Sequence, residues 1–260
     1  MTAWTPAAKP PALVRGSVHV WRIRLEIDQS GISAARMVLS PDEQTRADRY
    51  AFDRPRENFT VARAALRALL GCYLGIRPGA VDFVYGKHGK AELSPALNTL
   101  DLRFNVSHSD EYALVAVTPG YRIGIDIERC REIRGMDEVA SVSFSEHELA
   151  KWRALPGDQR QQAFFQAWTR KEALVKAVGD GLVHPLRRFE VSFAPHERPR
   201  ILCIEDDETL AARWSLTALG PADGYTAALA VEYPTVSVRC LEHSVVAGFD
   251  EAAAALSRDA

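Results

Sequence analysis

The segment Ile123-Gly124-Ile125-Asp126-Ile127-Glu128 leaves the chain few choices. Isoleucine alternates with Gly, Asp and Glu, so the segment reads as a strand whose side chains take opposite faces in turn. Ile123, Ile125 and Ile127 share one face, which a core must cover. Asp126 and Glu128 share the other, with Cα atoms about 7 Å apart. Two carboxylates on one strand face repel unless something neutralises them. A divalent cation does so, and a ligand set made only of oxygen suits Mg²⁺. A solvated edge followed by Arg129 and Arg131 does so too. The strand alone does not choose between these readings.

Its surroundings organise around it. Residues 112–118 form a strand and Pro119-Gly120 a turn, so 121–128 closes a hairpin with them. Upstream, 18–25 alternates as a half-buried strand. Ser40, Pro41 and Glu43 open a helix over 41–52. A second helix covers 56–74, stopped by Gly75 and Pro78, and a strand follows at 80–85. Downstream, Ser145 and Glu148 form a capping box at a helix start. A long helix runs from about 159 to 178 and ends at Gly179. Short strands follow over 188–193, 200–204, 214–219, 225–232 and 236–242. The expected organisation is a loose leader at 1–17, an N-terminal half at 18–120, a C-terminal half at 121–245 and a tail at 246–260.

Two further groups carry chemical potential. On the long helix, Phe165, Trp168, Glu172 and Lys176 follow at spacings of three or four and lie on one side. Phe164, Trp168 and Val175 mark a core stripe, so Trp168 places the Glu172 carboxylate at an apolar edge. Glu172 and Lys176 also read simply as a surface pair. Before the hairpin, Phe104-Asn105-Val106-Ser107-His108-Ser109 reads as a loop. Its hydroxyls and imidazole either bind phosphate or close a turn.

Composition excludes other classes. The 32 basic and 34 acidic residues give a net charge of −2, which argues against nucleic acid as the main partner. Only six of the cations are Lys and 26 are Arg, which reflects genomic base composition rather than function. Cys72, Cys130, Cys203 and Cys240 form no CxxC pair, so neither a zinc ribbon nor a disulfide framework is expected. There is no secretory signal, no membrane span, no GxSxG elbow, no Walker A sequence and no GxGxxG fingerprint. A protein of the cytoplasm without a membrane partner is expected.

Taken in order, Phe104–Ser109, Ile123–Glu128 and Trp168–Lys176 resemble the FNxSHS, (I/V)GxDxE and WxxKEAxxK signatures of the surfactin-synthetase-activating (Sfp) type of 4′-phosphopantetheinyl transferase. Gly179-Asp180-Gly181-Leu182 and Pro185 extend the resemblance, as do Ser40-Pro41 and the Arg-rich helix after them. It implies an α+β fold of two similar α/β halves in tandem, related by a pseudo-twofold axis, with the active site in the cleft between them. It implies transfer of phosphopantetheine from coenzyme A to a serine of an apo acyl or peptidyl carrier protein, as in polyketide or nonribosomal peptide synthesis. Adenosine 3′,5′-bisphosphate leaves.

By the same resemblance, Asp126, Glu128 and Glu172 ligate Mg²⁺, with Mn²⁺ as its substitute. Glu172, or a metal-bound water that it orients, is the base for the carrier serine, and Lys176 stabilises charge on the phosphate. Ser107, His108 and Lys176 hold coenzyme A phosphates, Lys90 approaches the nucleotide end, and Arg46, Arg56 and Arg63 compete for its phosphates. Gly89-Lys90-Ala91 lacks the proline that usually follows this lysine. Between the second and third carboxylates lies the surface expected to meet the carrier. There Arg129, Arg131, Arg134, Lys151 and Arg153 offer charge, and Met136, Val139, Phe144 and Leu149 an apolar strip or core. A monomer is expected. The rivals are an Mg²⁺-dependent phosphohydrolase on the same carboxylates and a non-catalytic carrier-binding module.

Overall fold

The computed structural model describes residues 2–179, 186–205 and 207–243. The expected GxGL segment after Gly179 and the C-terminal tail lie outside them. With strands numbered in chain order, one sheet has five strands: β1 (Thr5–Pro6), β2 (Ser17–Arg24), β5 (Leu102–Ser109), β6 (Tyr112–Pro119) and β12 (Ser237–His243). Their order is β1-β12-β2-β6-β5. A second sheet has order β10-β11-β7, formed by β7 (Ile123–Arg129), β10 (Ser215–Leu219) and β11 (Tyr225–Val231). Two small hairpins complete the strands: β3 (Phe83–Tyr85) with β4 (Ala91–Leu93), and β8 (Phe189–Val191) with β9 (Ile201–Ile204).

The α+β class is as expected, with four layers built on strand alternation. Trp21 and Ile23 of β2 and Ala113, Val115 and Val117 of β6 face α1 (Gln29–Val38) and α3 (Asp53–Leu74). The intervening residues, Val18, Val20, Leu114 and Ala116, face the other way, onto Ile123, Ile125 and Ile127. The isoleucine face is therefore covered by the opposite sheet. The far face of the second sheet, through Ala228 and Ala230, packs on Ala173, Leu174 and Ala177 of α6 (Gly157–Val178). Gly124 and Asp126 share that helix-facing side. Between β7 and α6 lie α4 (Met136–Ser143) and α5 (Glu146–Arg153). The capping box at α5 forms as expected: Glu148 N donates to Ser145 Oγ at 3.1 Å, and Ser145 N to Glu148 Oε2 at 2.9 Å. The expected first helix is α2 (Pro41–Asp48), where Ser40 N donates to Glu43 Oε2 at 3.0 Å. Helices α1 and α4 were not expected, nor was the short α7 (Glu208–Ala211).

Three expectations need correction. The hairpin of 112–128 does not form. Both edges of β6 are taken, by β2 and by β5, so the chain turns at Gly120 and enters the second sheet as β7, paired with β11. The segment 104–109 is strand rather than loop: it is most of β5, and a two-residue turn at Asp110-Glu111 returns it to β6. The N-terminal residues are not loose throughout, because Thr5 and Pro6 pair in parallel with Leu241 and Glu242. That contact exists because β12, late in the chain, returns to the first sheet and lies between β1 and β2.

Candidate active site

Beside their packed faces, the two sheets also meet where the edges of β5 and β7 face each other. Strands β5 and β7 are both terminal strands of their sheets. They make no ladder, and side chains of β5 take its place. Asn105 Oδ1 accepts from Ile125 N at 2.8 Å, and Ser109 Oγ accepts from Arg129 N at 3.1 Å. Hydroxyls of β5 also hold carboxylates: Ser107 Oγ donates to Asp126 Oδ1 at 3.0 Å and Ser109 Oγ to Glu128 Oε2 at 3.1 Å. Asn105, Ser107 and Ser109 stand two apart, so a strand presents all three to one side. This hold of Ser109 on Glu128, and of Asn105 on the backbone of β7, was missed in the sequence. The period-two spacing was its signal, hidden by reading the segment as a loop.

Helix α6 brings the remaining groups. Gly124 lets it approach: a Cβ there would lie 2.0 Å from Ala173 O and 2.4 Å from Ala177 N. One turn along, Lys176 Nζ sits 2.6 Å from Asp126 Oδ1 and donates to Ser107 Oγ at 2.9 Å. Asp126 is 3% exposed, and among the described residues its Oδ2 has no hydrogen-bond partner. Burial pushes its carboxyl up, against the pull of Lys176 and Ser107. Burial and then the Asp126 charge raise Glu128, opposed by the Ser109 hydroxyl. Burial and then Asp126 raise Glu172, with Glu128 adding to the rise and Lys176 opposing it. Three carboxyls thus share one electrostatic neighbourhood. Among the described residues, no three His, Cys, Asp or Glu side chains already close around one point at metal-holding geometry.

The rotation of α6 is held from behind. Lys171, with no exposure, sits 2.6 Å from Glu148 Oε2 and donates to Leu186 O at 2.8 Å and to Phe189 O. Its neighbour Glu172 consequently faces the cleft. Trp168 is partly buried and stacks on Phe164, with centroids 6.0 Å apart. Phe144 belongs to this core, stacked with Phe193 and fully buried, so it is no part of a docking strip. Met136, Val139 and Leu149 pack on the same cluster, while Val142 is exposed. Two of the expected steering cations are engaged: Arg129 with Asp110, and Lys151 with Glu197 at 2.6 Å.

The other expected residues divide. His108 is open to solvent but crowded by the cleft; partial burial and the Lys176 charge hold its imidazole below the usual range. Arg46 and Arg63 form a separate group around Phe59, at 5.3 and 5.8 Å from its ring centroid, and Arg63 also lies over Phe83. Arg63 Nη1 is buried without a hydrogen-bond partner among the described residues. Arg56 is paired with Asp53. Lys90 is placed differently from the expectation: its ammonium donates to two backbone carbonyls, Lys176 O at 2.6 Å and Ile123 O at 3.1 Å.

A buried aspartate with two half-buried glutamates beside it and a lysine upon it, in the seam of two α/β halves, fits an enzyme site. The comparisons with known proteins give the class. The model of the 4′-phosphopantetheinyl transferase superfamily matches residues 122–230, and that of the N-terminal part of 4′-phosphopantetheinyl transferases matches residues 27–120. The 4′-phosphopantetheinyl transferase HetI of Nostoc is 40% identical over 230 residues, 88% of this chain and 93% of its own length. A 4′-phosphopantetheinyl transferase of Bacillus subtilis is 29% identical over 59% of this chain and 66% of its own. Among solved structures, a holo-(acyl-carrier-protein) synthase from Bacillus anthracis in complex with CoA (3′,5′-ADP) covers 43% of this chain and 95% of that one, at 22% identity and TM-score 0.35. The chain belongs to the 4′-phosphopantetheinyl transferase superfamily, and it is a transferase.

Proposed function

We propose that the protein moves 4′-phosphopantetheine from coenzyme A to a serine of an apo acyl or peptidyl carrier protein, with Mg²⁺ at Asp126, Glu128 and Glu172. The observation that carries this reading is the buried, unpartnered Oδ2 of Asp126 beside two further carboxyls whose proton affinity it raises. An oxygen-only set with a free buried lone pair fits a hard cation, and Mg²⁺ keeps several waters, so no closed protein cage is required. When bound, the ion neutralises the acids, polarises phosphoryl oxygens and stabilises the leaving bisphosphate.

The residues of the chain supply the rest. The carrier serine oxygen forms a bond to the phosphorus that bears pantetheine. The bond from that phosphorus to the bridging oxygen breaks, and adenosine 3′,5′-bisphosphate departs with the electron pair. Glu172 takes the serine proton. Lys176 sets a positive charge where the phosphoryl oxygens gain negative charge. Ser107 and Ser109 hold Asp126 and Glu128 in register. His108, Arg46 and Arg63 are offered to coenzyme A phosphates, for which the arginine fork suits bidentate contact. Arg56 joins them only on leaving Asp53. Among the described residues no helix is long and apolar enough to cross a membrane. We read the protein as a cytoplasmic monomer, divided near residue 120.

Release of adenosine 3′,5′-bisphosphate from coenzyme A, followed with and without apo carrier, tests the reaction. Release that depends on carrier is expected. Equal release without carrier would make it a phosphohydrolase, and no release with any carrier a binding module.

A further inference from the structure

We infer that Lys90 is a positioning residue: an ammonium clasp, sent from the first half, that fixes the last turn of α6 on β7 and so holds Lys176 against Asp126. The contact is built at the closest approach of strand and helix. Lys90 Nζ bridges Ile123 O, next to Gly124, and Lys176 O, in the last turn of α6. Gly124 is the residue whose absent Cβ permits this approach: a Cβ there would lie 2.9 Å from the carbonyl carbon of Lys176.

Two physical reasons make a cation fit here. The last carbonyls of a helix lack intrahelical donors, and a lysine supplies one. The helix dipole also favours positive charge at that end. Gly179, with φ +87°, ends the helix, and a Cβ there would stand 3.8 Å from Lys90 Cδ, so the lysine stem lies along the cap. Burial of the ammonium lowers its pKa to about 8, in keeping with a group enclosed between two elements rather than extended to solvent. The consequence passes through Lys176. Its backbone carbonyl is gripped by Lys90 while its own ammonium sits 2.6 Å from Asp126. The β3–β4 hairpin loop of the first half thereby helps set the geometry of the acids in the second.

Lys90→Met, compared with the unaltered chain, tests the clasp by two readouts. Hydrogen exchange, measured without coenzyme A, is expected to speed up in the last turn of α6 by about tenfold, the factor for losing one hydrogen bond to a charged donor. The kinetic readout rests on the transferase reading: kcat is expected to fall by about tenfold while KM for coenzyme A stays within about twofold. Lys90→Gln, which retains one donor group, serves where Lys90→Met does not fold and is expected to fall between the two. Unchanged exchange in the last turn of α6 overturns the clasp. So does a rise of KM for coenzyme A with kcat kept, the pattern of a direct phosphate ligand. Absence of transfer by the unaltered chain would defeat the transferase reading alone, since the exchange readout still decides the clasp.

Discussion

Asp126 is the residue on which the site turns, because it meets Lys176 and Ser107 through one oxygen and keeps the other buried without a partner. Asp126→Asn keeps the shape and removes the charge. Transfer should fall by about a thousandfold, the scale of losing a group that stabilises developing charge. The melting temperature should move by only about 3 °C, since the Lys176 side chain is 30% exposed and regains water. Side-by-side rate and melting measurements check this, and retained transfer would remove Asp126 from the metal site. Lys171→Met behaves oppositely. It strands Glu148 in the core, and breaking a buried pair costs about 3–5 kcal/mol, read from urea unfolding. That Asp126 and Glu128 share one face of β7 was legible from alternation alone. Lys171 was not: a lysine beside a glutamate on a helix reads as surface charge until the fold brings Glu148 of α5 behind it.

Between elements, the decisive contact is α6 on β7 at Gly124. Gly124→Ala places a methyl 2.0 Å from Ala173 O, a backbone atom that cannot rotate away. The helix must move off the strand, which carries Glu172 and Lys176 with it. A loss of about 3 kcal/mol or more, with transfer abolished, is expected from overpacking at backbone. Denaturant unfolding and the transfer rate check it. Elements with one periodic face, such as α6 and β7, were legible. The pairing of β6 was not. Pro119-Gly120 between two apolar runs looks like a hairpin turn, and nothing local tells that β6 is fully buried between β2 and β5. Strand β5 was hidden likewise, because Asn and Ser at its outer edge imitate loop chemistry while they replace a ladder with β7.

At the scale of the whole molecule, stability depends on layers that bury polar groups in matched sets. His19 of β2 is 1% exposed, and its Nδ1 lies 2.8 Å from Tyr73 Oη, which accepts from Trp21 Nε1 at 2.9 Å. A buried imidazole beside a hydroxyl has a hydrogen-bond partner without needing a charge. Burial, then Arg239, lowers its pKa from 6.5 to about 4. The unfolded chain therefore binds the extra proton first on acidification. The contribution of His19 to stability is complete above pH 6.5, is lost as the pH drops to about 4 and amounts to about 3 kcal/mol. Urea unfolding at several pH values checks this, with His19→Gln expected to lose that part of the slope. The two-part plan was legible from the order of motifs, but the return of β12 to the first sheet was not, since pairing across the whole chain leaves no local pattern. The central claim, that the acids between the halves serve transfer to a carrier, is tested by the intact mass of an apo carrier after incubation with protein, coenzyme A and Mg²⁺. A gain of one phosphopantetheine on the carrier, lost when Mg²⁺ is chelated, is the result predicted. An unchanged mass across acyl and peptidyl carriers would contradict it.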